Sequence, residues 1–401
     1  MKKTNSLISI FFLMIIAIFA IGTAKDAVRP IYGEAKNIIQ EGPSEVIANI
    51  NAIWDENACQ RMNFITLYGA TQRALSKRET GNYDIVKDLD GFLHRKYTPR
   101  SEKRLGEYAK NMSAFYDYIK KRGDDFLFIE TPVDVIKGRT RFPTGFSSDS
   151  DKNIDRFMEI TKSLEIPVLD SRTLYPGLKH EEIFFKTDHH WATQLSFKAF
   201  AATIDRLNED YGYNLDPDGT FTDLANYKNY MLEDSFLGSV GIRVGAAYAG
   251  KDDFLIYLPK FKTDLTLKKY VEHEQIRNRR GDFWHSFIDE STLDPSYNNK
   301  HAAYLYGGDD VTVVTNHLSD NKLKCILIAD SFGHDFAQYL SLCFETTVFI
   351  DPSNGRYTDS MKEYIDNYDP DVVLVLPSGD HIWNMIPGFV GFVKPKEATP
   401  E

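Results

Sequence analysis

Thr187-Asp188-His189-His190-Trp191 is the densest polar cluster in the chain, set between the apolar pair Phe184-Phe185 and a helical pattern that begins near Ala192. In an extended loop, residues two apart point the same way, so Asp188 and His190 are expected on one side and His189 on the other. A carboxylate beside an imidazole fixes its tautomer and stabilises the imidazolium formed when the ring takes a proton. Those are the two supporting members of a serine triad, and they require a nucleophile. Ser331, in Ile328-Ala329-Asp330-Ser331-Phe332-Gly333, fits that part. It stands just past a buried-strand pattern, where the chain turns into a helix. In open α/β sheets ligands bind at the carboxyl ends of strands, and a helix N-terminus offers N–H groups to a developing oxyanion.

Other chemistry fits the same residues. The segment is not G-x-S-x-G, so the common nucleophile elbow is not indicated. A Ser or Asp at a strand-to-helix junction also serves as an N-cap. Asp188, His189 and His190 are metal-ligand types, and His317, His334 and His381 are available as further donors, although spacing marks none of them. The reading adopted is no metal. His334, one helical turn after Ser331, is a rival for the base, and Trp191 is either a packing residue or a substrate platform.

The elements that must hold these residues are legible as periodicities. Asp88–Leu93 (DLDGFL) reads as a turn followed by a short strand. Leu105, Tyr108, Met112, Phe115 and Ile119 recur every three or four residues, with Ser101 placed to cap the start and Gly123 the end. Asp125–Thr131 then reads as a buried strand stopped by Pro132. A helix is expected near Asp151–Leu164, a short strand over Ile166–Leu169 and an amphipathic helix over Ala192–Leu207. From about 208 to 300 the chain is rich in aromatics, Gly and charge, with β-like runs such as Phe254–Leu258 and no clean helix, and it reads as a β-containing insertion. Alternation then returns: strand Leu323–Ala329, helix His334–Leu342, strand Thr346–Ile350, helix Asp359–Asn367 and strand Asp371–Leu376. Short β-branched runs alternating with helices predict an α/β fold, a three-layer α/β/α sandwich with a mostly parallel sheet.

With 401 residues, 42% hydrophobic and 26% charged, the chain is long enough for one large domain with insertions or for two. A net charge of −11 argues against a nucleic-acid partner, which requires a basic face. The three cysteines, Cys59, Cys325 and Cys343, cannot make a disulfide framework and match no zinc spacing. Lys2 and Lys3 precede an apolar run, Leu7–Ile21, broken only by Ser9. That is a positive n-region followed by an h-region. At about 15–17 residues the run is short for a spanning helix but within reach of one, and Gly22-Thr23-Ala24 offers a weak cleavage site. Few charges before the run and many after it place the bulk of the chain outside the cytoplasm. It is then anchored by the uncleaved segment, the favoured reading, or secreted after cleavage. The expected division is 1–24 as signal peptide or anchor, 25–81 as stem or N-terminal extension, and 82–401 as the catalytic α/β domain.

Thr187–Trp191, followed far downstream by Ala329-Asp330-Ser331-Phe332-Gly333, resembles the DHHW family, which is related to the AlgX/AlgJ-type SGNH-like proteins of polysaccharide O-acetylation. Asp88–Leu93 resembles the entry motif before the domain, and Phe236-Leu237-Gly238-Ser239 an internal Gly-Ser element. Tyr306-Gly307-Gly308-Asp309 precedes the nucleophile strand, and Ile350-Asp351-Pro352 with Arg356-Tyr357 follows it. The resemblance spans Asp88 to about Ser378. It implies an SGNH-hydrolase-like fold with Ser331 as nucleophile, His190 as base and Asp188 as its orienter. One departure stands out. Ala-Asp-Ser-Phe-Gly replaces the Gly-Asp-Ser of typical SGNH hydrolases and follows the Asp-x-His pair instead of preceding it, so the usual Gly and Asn oxyanion blocks do not transfer. The oxyanion or substrate candidates are then the Ser331 N–H with Gly238, Ser239, Gly307, Gly308, Asn316 or Trp191.

The implied function is an extracytoplasmic O-acetyltransferase that moves acetyl onto a cell-envelope glycan through an acetyl-serine, without a cofactor. An MBOAT-type integral membrane acyltransferase would be the partner that supplies acetyl groups. Three other readings share these residues. They are an acetyl esterase, a non-catalytic glycan-binding or scaffold module, for which 13% aromatic content suits sugar stacking, and a metal-dependent hydrolase.

Overall fold

The chain is seen in a computed structural model that describes residues 2–36, 42–80, 84–97, 99–271, 273–295, 297–308, 311–353, 356–357, 360–379 and 382–393. Among these lie thirteen strands: β1 (Glu79–Thr80), β2 (Ile85–Lys87), β3 (Leu93–Arg95), β4 (Asp125–Glu130), β5 (Val168–Asp170), β6 (Tyr227–Phe236), β7 (Asp252–Pro259), β8 (Leu265–Val271), β9 (Glu274–Gly281), β10 (Val311–Asn316), β11 (Lys324–Ala329), β12 (Thr346–Ile350) and β13 (Val372–Leu376). Eight of them form the central sheet, in the order β5-β4-β13-β11-β12-β10-β8-β9.

The first five strands of that order run parallel and the last three antiparallel. The sheet is therefore mixed where a mostly parallel one is expected. The antiparallel part is β10, which runs against β12, and the β8–β9 hairpin that adds beside it. Antiparallel neighbours need only a tight turn between them, whereas parallel ones need a crossover helix. β6 and β7 pair with each other, and β1–β3 form a small antiparallel sheet.

Alternation along the strands builds the two outer layers. Leu127, Ile129, Leu327, Ala329, Leu374 and Leu376 face Phe197 and Phe200 of helix Thr193–Tyr211 and Phe336 of helix Gly333–Leu340. Phe126, Phe128, Ile326, Ile328, Val373 and Val375 face the other way. They meet Met112 and Phe115 of helix Glu102–Arg122 and Ile154 and Phe157 of helix Ser150–Ser163. Each of these buried Val, Leu, Ile, Met and Phe side chains contributes about 1.5–3 kcal/mol relative to exposure. The three layers of the expected sandwich are present.

Local signals explain the helix ends. The Ser101 hydroxyl accepts the Arg104 N–H at 3.4 Å, and Gly123 ends the same helix at φ 90°. The helix after β12 spans Met361–Tyr368, and Asp359 of its expected start lies outside the described residues.

The chain divides into two compact units, residues 1–77 with 243–248, and residues 78–242 with 249–401. The first is helical: Lys2–Ala35, Pro43–Glu56 and Arg61–Ala74. Among the described residues one helix is long and apolar enough to cross a membrane, the 27 residues Ser9–Ala35, whose most apolar 18-residue stretch has a mean hydropathy of 2.0. Gly22-Thr23-Ala24 lies within it.

Candidate active site

β11 delivers Ser331. The strand ends at Ala329, the Gly333 N–H closes a turn on the Asp330 carbonyl at 2.9 Å, and helix Gly333–Leu340 begins. Only glycine fits at 333, because a Cβ there would lie 2.6 Å from the Ala329 Cβ and 2.7 Å from the Phe349 ring. Ser331 is left half-buried at the carboxyl end of a strand with parallel neighbours on both sides. Among the described residues its N–H engages no acceptor.

The loop carrying Asp188 and His190 is pinned at both ends. Phe184 and Trp191 pair as an antiparallel bridge, and the Ala192 N–H donates to the Ile183 carbonyl at 2.8 Å. The first half of the loop hangs on buried Asp252, whose carboxylate accepts the N–H groups of Lys186 and Thr187 (2.8 and 2.9 Å) and the Thr187 hydroxyl (2.6 Å). Asp188 Oδ1 then accepts the His190 backbone N–H at 2.9 Å and the His190 Nδ1–H, and Oδ2 accepts the Ser239 N–H. A carboxylate only accepts, so Nδ1 carries the proton and Nε2 is left as an acceptor. His190 Nε2 lies 2.8 Å from Ser331 Oγ.

Asp188 is 1% exposed. Burial pushes its carboxyl up, but the His190 and His189 imidazoles and the His190 hydrogen bond outweigh that and hold it well below the usual carboxylate range. An ionised acid, an imidazole in the base tautomer and a hydroxyl within hydrogen-bond reach are the parts that acyl transfer through a serine needs.

Asp188, His190 and Ser331 come together although 141 residues separate the last two. The remaining sequence-predicted residues fall elsewhere. The Gly238 N–H donates to Thr187 Oγ1 at 2.9 Å, the Ser239 N–H to Asp188, and Ser239 Oγ meets His189 Nδ1 at 2.7 Å. Those amides are engaged, so Gly238 and Ser239 hold the acid and are not free for an oxyanion. Trp191 is fully buried, its Nε1–H shared between the Phe332 carbonyl and Asp335 Oδ1, both at 3.1 Å. It packs beneath the nucleophile turn and is closed to a substrate. Asn316 is excluded by direction. β10 runs antiparallel to β12, so its last residue binds the Glu345 and Leu342 backbone, at the end of the sheet opposite Ser331.

Gly307 and Gly308 precede β10 at the Ser331 end, at φ 54° and 82°, with the Gly307 carbonyl held by the buried Lys269 ammonium. Asp309 and His381 lie outside the described residues. His189 does not point away from His190: the loop bends, and the two rings are 4.1 Å apart. His317 contacts the Thr266 hydroxyl at 2.7 Å, at the far end of β10. His334 gives its backbone N–H to the Ser331 carbonyl at 3.2 Å, while its ring lies near Phe349.

Asp188, His189 and His190 do offer donor atoms within 4.8 Å of one another. Each is already directed to a protein group, His190 to Asp188 and Ser331 and His189 to Ser239, so the set fits a hydrogen-bonded relay better than a metal centre. A polar cavity of about 420 Å³, lined by Lys179, Glu182, Lys186, Lys251 and Asp253, opens on the Asp252 side of the loop, and none of the three converging residues lines it. Sequence reasoning missed Asp252, which suspends the loop, and His301, whose buried ring stacks on His190. Neither stands in a motif.

Residues 92–225 match the family model described as the SGNH hydrolase-like domain of the acetyltransferase AlgX. Among solved structures, a DHHW family protein from Eubacterium siraeum is 17% identical with a TM-score of 0.59, over 78% of this chain and 96% of its own. PatB1 from Bacillus cereus is 16% identical with a TM-score of 0.57, over 74% and 96%. PatB1 with a sulfonyl adduct matches at a TM-score of 0.58, again with 16% identity, over 74% and 94%. No curated protein matches the chain by sequence. The resemblance read from the DHHW and Asp-Ser segments therefore holds, and the chain carries an SGNH-hydrolase-like α/β domain similar to the AlgX domain and to the DHHW family.

Proposed function

We propose that this chain is an extracytoplasmic O-acetyltransferase acting on a cell-envelope polysaccharide through an acetyl-Ser331 intermediate. The observation that carries the reading is the 2.8 Å contact between His190 Nε2 and Ser331 Oγ, with Asp188 on the other ring nitrogen. Ser331 Oγ attacks the carbonyl carbon of an acetyl ester while its proton passes to His190 Nε2. The donor oxygen leaves with that proton. A sugar hydroxyl then attacks the acetyl-serine, its proton going to His190 and on to Ser331 Oγ. The Ser331 N–H is the first donor to the oxyanion, and Gly308 at the same end of the sheet is the candidate for a second, the Gly307 N–H being given to the Tyr304 carbonyl at 2.9 Å.

Transfer over hydrolysis is supported by the match to the acetyltransferase AlgX domain, and a glycan acceptor is what the resemblance to the AlgX/AlgJ-type proteins implies. On this reading residues 1–24, whose apolar run falls largely within the Ser9–Ala35 helix, are the membrane anchor, 25–81 the stem and 82–401 the catalytic domain, with an MBOAT-type membrane acyltransferase delivering acetyl groups. The test uses the full-length protein and a small acetyl ester. Wild type is expected to carry acetyl on the Ser331 peptide, and Ser331→Ala to carry none and to lose about 10³-fold or more in turnover. Undiminished turnover in Ser331→Ala overturns the reading. Acetate release without transfer to an added oligosaccharide assigns the same residues to an esterase.

A further inference from the structure

His301 lies face to face with His190, ring centroids 3.7 Å apart and planes inclined by 14°. It comes from the insertion, in the short turn Lys300–Ala303. That turn is clamped by the Lys300 ammonium, which donates to the carbonyls of Thr292 (3.2 Å), Tyr297 (2.6 Å) and Asp294. The His301 side chain is buried at 3% exposure, and among the described residues its Nε2 meets no hydrogen-bond partner. Leaving such a group idle costs about 1–3 kcal/mol. Burial first, and then the His190 and His334 imidazoles beside it, hold its pKa well below the usual histidine range, so the ring is neutral. A neutral, buried imidazole whose Nε2 has no partner among the described residues invites an explanation.

The explanation lies on its flat face. His190 is held at Nδ1 by Asp188 and meets the Ser331 hydroxyl at Nε2, two in-plane contacts that leave the tilt of the ring to the groups packed on its faces. Its other ring neighbours meet it obliquely, His189 at 36° and Phe332 at 36°. His301 supplies the parallel surface. It also gives a positively charged His190 a neutral π face to rest on, as a cation favours. A charged neighbour there would repel it.

We propose that His301 is a positioning residue of the acyl-transfer site, its ring stacked on His190 to fix the plane in which Nε2 meets the Ser331 hydroxyl. The inference rests on the function proposed above, with His190 as base. Its role is therefore aromatic and planar, and a ring that cannot hydrogen-bond fulfils it.

The test follows covalent labelling of Ser331 by phenylmethanesulfonyl fluoride, which needs an activated serine but no natural substrate. Three full-length proteins are compared: wild type, His301→Phe, which keeps a ring, and His301→Leu, which fills the space without one. Labelling of His301→Leu is expected to slow by about 10-fold or more and that of His301→Phe to stay within about 3-fold. With an acetyl ester, the loss in His301→Leu falls on kcat and leaves KM within about 2-fold. Thermal unfolding of each protein separates misfolding from misplacement. Wild-type labelling rates in His301→Leu overturn the proposal. So does a folded His301→Phe slowed by about 10-fold, which decides the matter even where the leucine variant fails to fold. A wild type unlabelled at Ser331 overturns the nucleophile assignment first, and this inference with it.

Discussion

Asp330 and Ser378 tie the nucleophile turn to the neighbouring strand: Asp330 Oδ2 accepts both the N–H (2.9 Å) and the hydroxyl (2.6 Å) of Ser378, just past the end of β13. Its Oδ1 accepts the Phe332 N–H at 3.0 Å. The residue before Ser331 thus acts through the turn and not on a substrate. Asp330→Asn must point an amide N–H₂ at one of these donors. The lost buried bond costs about 1–3 kcal/mol, and a displaced Ser331 loses about 10- to 100-fold in acylation rate. Thermal unfolding and sulfonyl fluoride labelling, measured on one preparation, check both parts.

Gly238 is where the acid is most exposed to a small change. A Cβ there would sit 2.2 Å from the Asp188 Cβ and 2.5 Å from its Oδ2. Gly238→Ala must therefore move the carboxylate off the His190 ring, with a loss of about 100-fold in turnover. Gly106, in helix Glu102–Arg122 with open space around it, is the matched control. Gly106→Ala is expected to keep full activity and add about 0.5–1 kcal/mol of stability.

A second buried histidine predicts how stability responds to alkali. His94 lies between Asp88, 3.4 Å from Nε2, and Asp134, 3.3 Å from Nδ1. Both contacts are in ion-pair range. Burial works to lower the His94 pKa, and the two carboxylates outweigh it and push it up to about 9. A group raised above its unfolded value of 6.5 adds stability that is complete below pH 6.5 and is lost as pH rises through about 9. Urea unfolding is expected to show a fall of at most roughly 3 kcal/mol between about pH 6 and pH 9.5. The fall should be absent in His94→Gln.

Asp335 works in the opposite direction. Burial pushes its carboxyl up to about 7, against the hydrogen bond from Trp191. An acid raised from 3.8 stays protonated in the folded chain while the unfolded chain ionises, so stability falls as pH climbs from about 4 to about 7 and stays lower above that. Asparagine keeps an acceptor for Trp191 and cannot ionise. Asp335→Asn is expected to raise Tm by about 2–5 °C near pH 8 and to leave it nearly unchanged near pH 4, as calorimetry would measure.

Much of this molecule is legible before any coordinates, and the reasons are local. The helix from Glu102 to Arg122 announces itself by its apolar spacing, its serine cap and its terminal glycine. The Asp188–His190 pair and Ser331 stand out because each lies at the edge of a recognisable element. Asn316 misleads because proximity in sequence to Ser331 says nothing about strand direction, and β10 happens to run the other way. Gly238 and Ser239 give their N–H groups to Thr187 and Asp188, and a backbone N–H carries no sequence mark for what it binds. His301 is invisible for the same reason, a lone histidine in an insertion whose stacking partner is 111 residues away. The β8–β9 hairpin escapes because which sheet a hairpin joins is decided by long-range pairing, not by its own pattern.

The two rims of the long sheet are blunted in different ways. β9 closes one side with Arg277, Arg279 and Arg280 on a mostly exposed strand, and β5 closes the other with only three residues. Unpaired rim amides and carbonyls ordinarily invite a strand from another molecule. Here a second copy would meet repelling guanidinium groups on one flank and almost no ladder on the other, so crowded copies resist zipping together into fibres.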